Sequence, residues 1–185
     1  MVSRQAFAWV VRALLDRGFR FTVIGGTVVE LAIGSKDLGE DIDVFGEDPS
    51  PLFEDEYFRL GEELGWVVGQ TWLGTPRVVA RFHGEEVPIE FYDNLHDFYV
   101  PEEMLGRAER VRIGDVRVRM VRLEDHLALK AHAGRGIDME RLKEISRLVK
   151  RGKLRLDRDA LLEAASFFGD EEKVVIRRLR EAGLL

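Results

Sequence analysis

Asp41 and Asp43 stand two residues apart in the run Asp41-Ile42-Asp43-Val44-Phe45. Its alternation of polar and apolar residues predicts a half-buried strand, which sends both carboxylates to one face and Ile42 and Val44 to the core. Two carboxylates crowded on one face repel each other, and a hard divalent cation with oxygen ligands would relieve that repulsion. Magnesium suits the pattern, because it is usually held by one or two carboxylates together with substrate phosphates. A third carboxylate is offered by Val87-Pro88-Ile89-Glu90-Phe91-Tyr92. Val87, Ile89 and Phe91 alternate on one face, leaving Glu90 on the other with Pro88 and Tyr92. An unpaired carboxylate inside an apolar strand is costly to bury. A metal site shared with Asp41 and Asp43 explains it; solvent exposure or pairing with an arginine is the competing explanation. Upstream, Gly25-Gly26 separates an apolar run from a helical pattern. Glycines there would let the backbone approach a phosphate, and the following helix would offer it unpaired N–H groups.

Those residues need elements to position them. Phe7, Val10, Val11, Leu14 and Leu15 fall on one helical stripe within residues 3–18, with Gly18 as a stop. Residues 21–24 read as a short buried strand. Residues 27–33 read as a helix, although their β-branched content makes a strand the competing assignment. Residues 46–52 are expected to be a loop and 53–64 an acidic helix. Strands are expected at 66–70, 77–83 and 86–92. Gly114-Asp115 predicts a hairpin joining 109–113 to 116–120. Helices are expected near 122–133, 138–150, 157–168 and 171–182. The fold class is therefore α/β (α+β): a mixed sheet with helices, then a C-terminal helical bundle. The composition shift at Gly134-Arg135-Gly136 places the boundary between a domain at 1–135 and a helical segment at 136–185.

The chain has 185 residues, 45% hydrophobic and 34% charged. That excludes disorder and low complexity over most of its length. Cysteine is absent, which excludes a disulfide scaffold, a cysteine nucleophile and thiolate metal sites. No apolar run reaches a membrane span, and a soluble, cytoplasmic protein is expected. Residues 1–106 hold 8 of the 28 basic and 20 of the 34 acidic residues; the remainder of the chain is net basic. That division suggests a cation-handling site beside an anion-handling surface, or two ordinary solvated faces. His83, His96, His126 and His132 make no metal-ligand spacing, and no Walker A, Gly-x-Gly-x-x-Gly or Gly-x-Ser-x-Gly run occurs. The basic run from Lys150 to Arg158, with Arg141, Lys143 and Arg147, is a candidate nucleic-acid footprint or a solvated helix end.

The Gly-Gly, the spacer, the Asp-x-Asp and the later strand carboxylate together resemble the DNA polymerase β nucleotidyltransferase superfamily. Gly25-Gly26-Thr27 and the helix Leu123-Glu124-Asp125-His126-Leu127-Ala128-Leu129-Lys130 narrow the resemblance to the minimal and AbiEii-type members. It covers about residues 1–150. It implies transfer of a nucleoside monophosphate from a nucleoside triphosphate such as ATP to an acceptor, releasing pyrophosphate. It further implies that Asp41, Asp43 and Glu90 are catalytic and hold two magnesium ions. Gly25, Gly26, Thr27 and Lys130 would contact the triphosphate. The acceptor stays open among RNA, a protein and a small molecule, and AbiEii-type relatives include toxins of toxin–antitoxin pairs. The fourteen-residue spacer between Gly26 and Asp41 is slightly long. Lys36, Gly39 and Glu40 stand where relatives carry a basic and hydroxyl pattern. The alternative is therefore an inactive module of the same fold that binds nucleotide, RNA or a partner protein.

Overall fold

The computed structural model describes all 185 residues, in two compact units. The first comprises Met1–His96 and Ala108–Met120; the second comprises Asp97–Arg107 and Val121–Leu185. The boundary expected at 135 falls inside the second unit, because the helix before it packs with the helices after it.

In the first unit, α1 (Arg4–Leu15), β1 (Arg20–Val23), α2 (Thr27–Ala32), β2 (Ile42–Asp48), α3 (Glu54–Leu64), β3 (Val67–Gln70), β4 (Pro76–Phe82) and β5 (Glu85–Tyr92) follow in order. The second unit contributes α4 (Glu102–Gly106), after which the chain returns for the hairpin β6 (Glu109–Ile113) and β7 (Val116–Met120). All seven strands form one sheet in the order β3-β4-β5-β2-β1-β7-β6. Pairs β1–β7 and β2–β5 are parallel and the other neighbours antiparallel, so the sheet is mixed.

Sequence explains most of these elements. Ser3 caps α1 by accepting from the Ala6 N–H, and Phe7, Val10, Val11 and Leu14 are buried while Leu15 is 39% exposed. Residues 27–32 are helical despite their β-branched content. β2 runs on through Gly46-Glu47-Asp48, where a loop was expected, because β1 supplies ladder partners as far as Asp48. The bare Gly46 fits there: a Cβ would lie 2.6 Å from Pro51. Tyr57 on α3 packs against Phe91 and Phe19, with Phe91 also against Phe21, and this aromatic cluster forms the core on the Ile42/Val44 side of β2. The segment between α2 and β2 is tied to the N-terminus: Val2 N–H donates to Gly39 and Leu38 N–H donates to Val2, with both side chains fully buried. The unusual residues 36–39 thus include the staple that holds the chain start.

The β6–β7 hairpin carries Arg110, Arg112, Arg117 and Arg119 and lies in the first unit, so the charge division along the chain does not follow the unit boundary. Arg110 faces Arg119 and Arg112 faces Arg117 on the polar side of the edge, a charged arrangement that discourages further strand pairing.

In the second unit α5 (Leu123–Ala133) packs against α6 (Gly136–Lys150), α7 (Arg158–Ser166) and α8 (Glu172–Glu181). Arg178 of α8 caps α5 by donating to the carbonyls of Ala131 and His132 at 2.9 and 2.6 Å. Gly134 ends α5 in the left-handed region, and a side chain there would collide with the Arg178 guanidinium. α4 was not expected; of its residues only Met104 is buried. No helix is long and apolar enough to cross a membrane.

Candidate active site

β2 and β5 are neighbours in parallel register, and Asp43 is paired directly with Glu90. Asp41 lies one residue before β2. Because Ile42 and Val44 are buried, Asp41 and Asp43 emerge on the opposite side. One carboxylate oxygen from each of Asp41, Asp43 and Glu90 falls within 4.8 Å of the others, and all three residues are half-buried. Burial, and then the charge of Glu90, push the Asp41 carboxyl above its usual range, with Glu40 adding to the rise.

Glu90 is also bonded in a second way. Arg77 is its register partner on β4, and Arg77 Nε donates to Glu90 Oε1 at 3.1 Å. Tyr92 follows Glu90 by two residues on the same face, and its hydroxyl donates to Glu90 Oε2. Burial and that hydrogen bond push the Tyr92 phenol far up, so it remains a donor. The metal and arginine explanations for Glu90 are thus not exclusive: the carboxylate lies in the acidic cluster and pairs with Arg77. Sequence reasoning placed Tyr92 on the same face as Glu90. It missed Arg77, whose place depends on which strand lies beside β5.

The glycines divide in function. A Cβ on Gly25 would stand 1.9 Å from Asp43 Oδ2 and 2.4 Å from Asp43 Cβ, so Gly25 is bare because Asp43 lies against it. Ile24 N–H donates to the Asp43 carbonyl at 3.0 Å, fixing the two strands at that point. Gly26 has open space where a side chain would be and forms the N-cap of α2. Thr27 is fully buried, and its hydroxyl donates to the Leu38 carbonyl at 3.0 Å. Lys130 lies on α5 in the second unit, where its Nζ is 3.3 Å from Asp138 Oδ1. The structure therefore brings Asp41, Asp43, Glu90, Gly25 and Gly26 together within the first unit, commits the Thr27 hydroxyl to a loop, and pairs Lys130 with Asp138.

Residues 3–181 match the family described as nucleotidyl transferase of unknown function (DUF2204). The chain belongs to this family. Nucleotidyl transfer is accordingly its class of reaction, and the mixed sheet is the fold that the sequence resemblance implied. Among solved structures, ANT(2″)-Ia in complex with adenylyl-2″-tobramycin is 16% identical, with 96% of this chain and 97% of that one covered at a TM-score of 0.50. The solution structure of the antibiotic-resistance factor ANT(2″)-Ia is 17% identical, covering 98% and 94% at 0.49. An antigenic nucleotidyltransferase-like protein from Paracoccidioides brasiliensis is 15% identical, covering 97% and 74% at 0.48. At its identity the likeness to the adenylyl-2″-tobramycin complex is one of fold alone. No curated protein sequence matches the chain.

Proposed function

We propose that this nucleotidyltransferase moves a nucleoside monophosphate from a nucleoside triphosphate, ATP among the candidates, to an acceptor. In this reading Asp41, Asp43 and Glu90 hold magnesium, two ions in the full site. The observation that carries it is the convergence of three carboxylates within 4.8 Å on one face of the sheet. The donors fit the metal: all are carboxylate oxygens, the class that suits a hard cation. Arg77 supplies one positive charge against three carboxylates, and burial, with the charge of Glu90 second, raises the proton affinity of Asp41. When bound, magnesium would supply stabilisation of the attacking and leaving oxygens of an in-line displacement.

The chain's own residues do the rest. Gly25 gives Asp43 its position. The backbone N–H of half-buried Gly26 is the contact available to triphosphate oxygens at the start of α2; Thr27, fully buried, would have to be uncovered to add its own. That helix has only six residues, so individual amides matter here more than an extended dipole. Glu90, held by Arg77 on one oxygen and Tyr92 on the other, is better suited to a fixed ligand than to a mobile proton acceptor. Lys130 belongs to the proposal as a triphosphate contact, and it would have to leave Asp138 to serve. The acceptor oxygen bonds the α-phosphorus as its proton, where it carries one, passes to solvent, and the bond to pyrophosphate breaks. The acceptor is RNA, a protein or a small molecule; transfer to an essential RNA or protein would give the growth-control role of a toxin. We place the activity in the cytoplasm, in keeping with the cysteine-free sequence. The inactive-module alternative drew on residues 36–40; the part played by Val2, Leu38 and Gly39 in the N-terminal staple supplies a structural reason for that segment.

The test combines Asp43→Asn with transfer of labelled nucleotide from each of the four ribonucleoside triphosphates. Loss of transfer by at least about a thousand-fold is expected, corresponding to about 4 kcal/mol of barrier. Magnesium should raise the melting temperature of the wild type and not of the variant. A wild type indifferent to magnesium, with a variant that melts earlier, would leave the aspartate a structural residue and remove the proposal.

A further inference from the structure

The cation that sequence resemblance assigned to the triphosphate, Lys130, is paired with Asp138 in the second unit. A different cation stands beside the carboxylates. Arg77 is on β4, in the same cross-strand row as Glu90 on β5 and Asp43 on β2. Its guanidinium is used at one corner only: Nε donates to Glu90 Oε1, and neither Nη1 nor Nη2 donates to any protein acceptor. The side chain is 40% exposed while that of Glu90 is 17% exposed, so the anchored corner is the inner one. The charge of Arg77 also favours the ionised form of Asp41, against the larger effects of burial and Glu90.

We propose that Arg77 is a substrate-contacting residue. Its Nε is anchored on Glu90, and its two terminal Nη groups are presented to phosphate oxygens of the nucleoside triphosphate held at the carboxylates. The inference rests on the metal site proposed above. A guanidinium suits the task because its donors lie in one rigid plane. One edge can bond a carboxylate while the remaining N–H groups address a phosphate, with little further entropy lost. Lysine has one donor centre and cannot span both. Tyr92 is the positioning residue of the pair. By holding Glu90 Oε2, it stops the carboxylate rotating and carrying Arg77 away from the site. The arrangement also divides the work on charge. Asp41 and Asp43, which accept no bond from Arg77, keep their charge for the cations, while Glu90 shares its own with the arginine.

The test uses the full chain and two probes: magnesium alone, read as a rise in melting temperature, and magnesium with each ribonucleoside triphosphate, read by calorimetry. Arg77→Gln is expected to weaken binding of the best-bound triphosphate by about 10- to 100-fold, the worth of a charge-assisted contact. The magnesium-induced rise in melting temperature should persist, because all three carboxylates remain. Arg77→Lys should recover only part of the lost affinity. Tyr92→Phe should weaken triphosphate binding by a smaller factor, and adding Tyr92→Phe to Arg77→Gln should cost little more, since Tyr92 acts through Arg77. Equal loss of the magnesium response and of triphosphate affinity in Arg77→Gln would reduce Arg77 to a support for Glu90 and overturn the proposal. Unchanged triphosphate affinity would overturn it too, as would full recovery by lysine. A wild type that binds triphosphate and responds to magnesium, beside an unaffected Arg77→Gln, defeats this inference alone. A wild type that does neither defeats the metal site on which it rests.

Discussion

Asp138 in the second unit lies between two cations, with Arg135 Nε at 2.7 Å and Lys130 Nζ at 3.3 Å. Asp41 in the first unit lies among carboxylates, with Glu90 and Asp43 close by and Arg77 as the one cation acting on it. Burial would raise both carboxyls. At Asp138 the hydrogen bond from Arg135 and the charge of Lys130 outweigh burial and hold the group below its usual range. At Asp41 the charge of Glu90 adds to burial, and the group is pushed above that range. Asp125 repeats the second unit's pattern: it is fully buried, and Arg107 bonds both of its oxygens while also reaching Glu163. A carboxylate matched by cations inside its own unit is a structural group. Carboxylates clustered without matching cations could hold a cation that the chain does not supply. Acidic residues occur in both units; the difference lies in what the fold sets against them.

The contrast is broken most severely by removing a matched partner. Asp125→Ala leaves Arg107 without its buried counter-charge and should cost about 3–5 kcal/mol, the usual penalty for half a buried pair. Urea unfolding of wild type and variant would read it. Asp41→Asn, measured alongside in metal-free buffer, should cost nothing. A destabilisation of similar size at both positions would show that the two sites are of one kind.

A smaller effect is expected from Gly25→Ala. The new methyl would occupy the space of the Asp43 carboxylate, and the strain of accommodating it should cost about 1–3 kcal/mol. Because that carboxylate must move, transfer activity should fall by more than the stability loss explains. A variant that melts earlier with full specific activity at low temperature would detach Gly25 from the site.

The smallest effect is in the pH dependence, and its sign differs between the two sites. Asp138, with a depressed folded pKa, stabilises above the ordinary carboxylate value, and that contribution is lost as pH falls through its folded pKa. Asp41, with a raised folded pKa, works the other way: without metal, stability is lost as pH rises from the ordinary value of 3.8 through the folded one. Asp41→Asn should therefore give a gain below about 1 kcal/mol at neutral pH that vanishes in acid. Asp138→Asn should give a loss at neutral pH that shrinks in acid. Thermal melts from acid to neutral pH would show whether the two difference curves have opposite signs.

Much of this was legible beforehand, for reasons that differ by residue. The hairpin at 109–113 and 116–120 was readable because Gly114-Asp115 is a local turn signal between alternating runs. Asp41 and Asp43 were readable because one apolar residue between two acidic ones fixes their shared face wherever the strand goes. α4 was not readable, since one buried methionine in a short polar segment leaves no periodicity. The continuation of β2 through Gly46 was missed because polar residues and glycine resemble a loop until a partner strand claims their backbone groups. Thr27 resembled a ligand residue because it follows two glycines; its hydroxyl proved committed to Leu38, a partner in the loop beyond α2.

The sequence by itself determined the order of most elements and the face on which each carboxylate emerges. These follow from the two-residue period of a strand and the 3.6-residue period of a helix, which are properties of the local backbone. Only the tertiary structure decided that β5 lies parallel beside β2 with β4 on its far side. That placement sets Glu90 against Asp43 and Arg77 against Glu90, while the pairing of β1 with β2 sets the Asp43 carboxylate against Gly25. Strand neighbours are chosen by which apolar faces can be buried together across long stretches of chain. That choice is made by the whole sheet and its packed helices, and no local pattern encodes it.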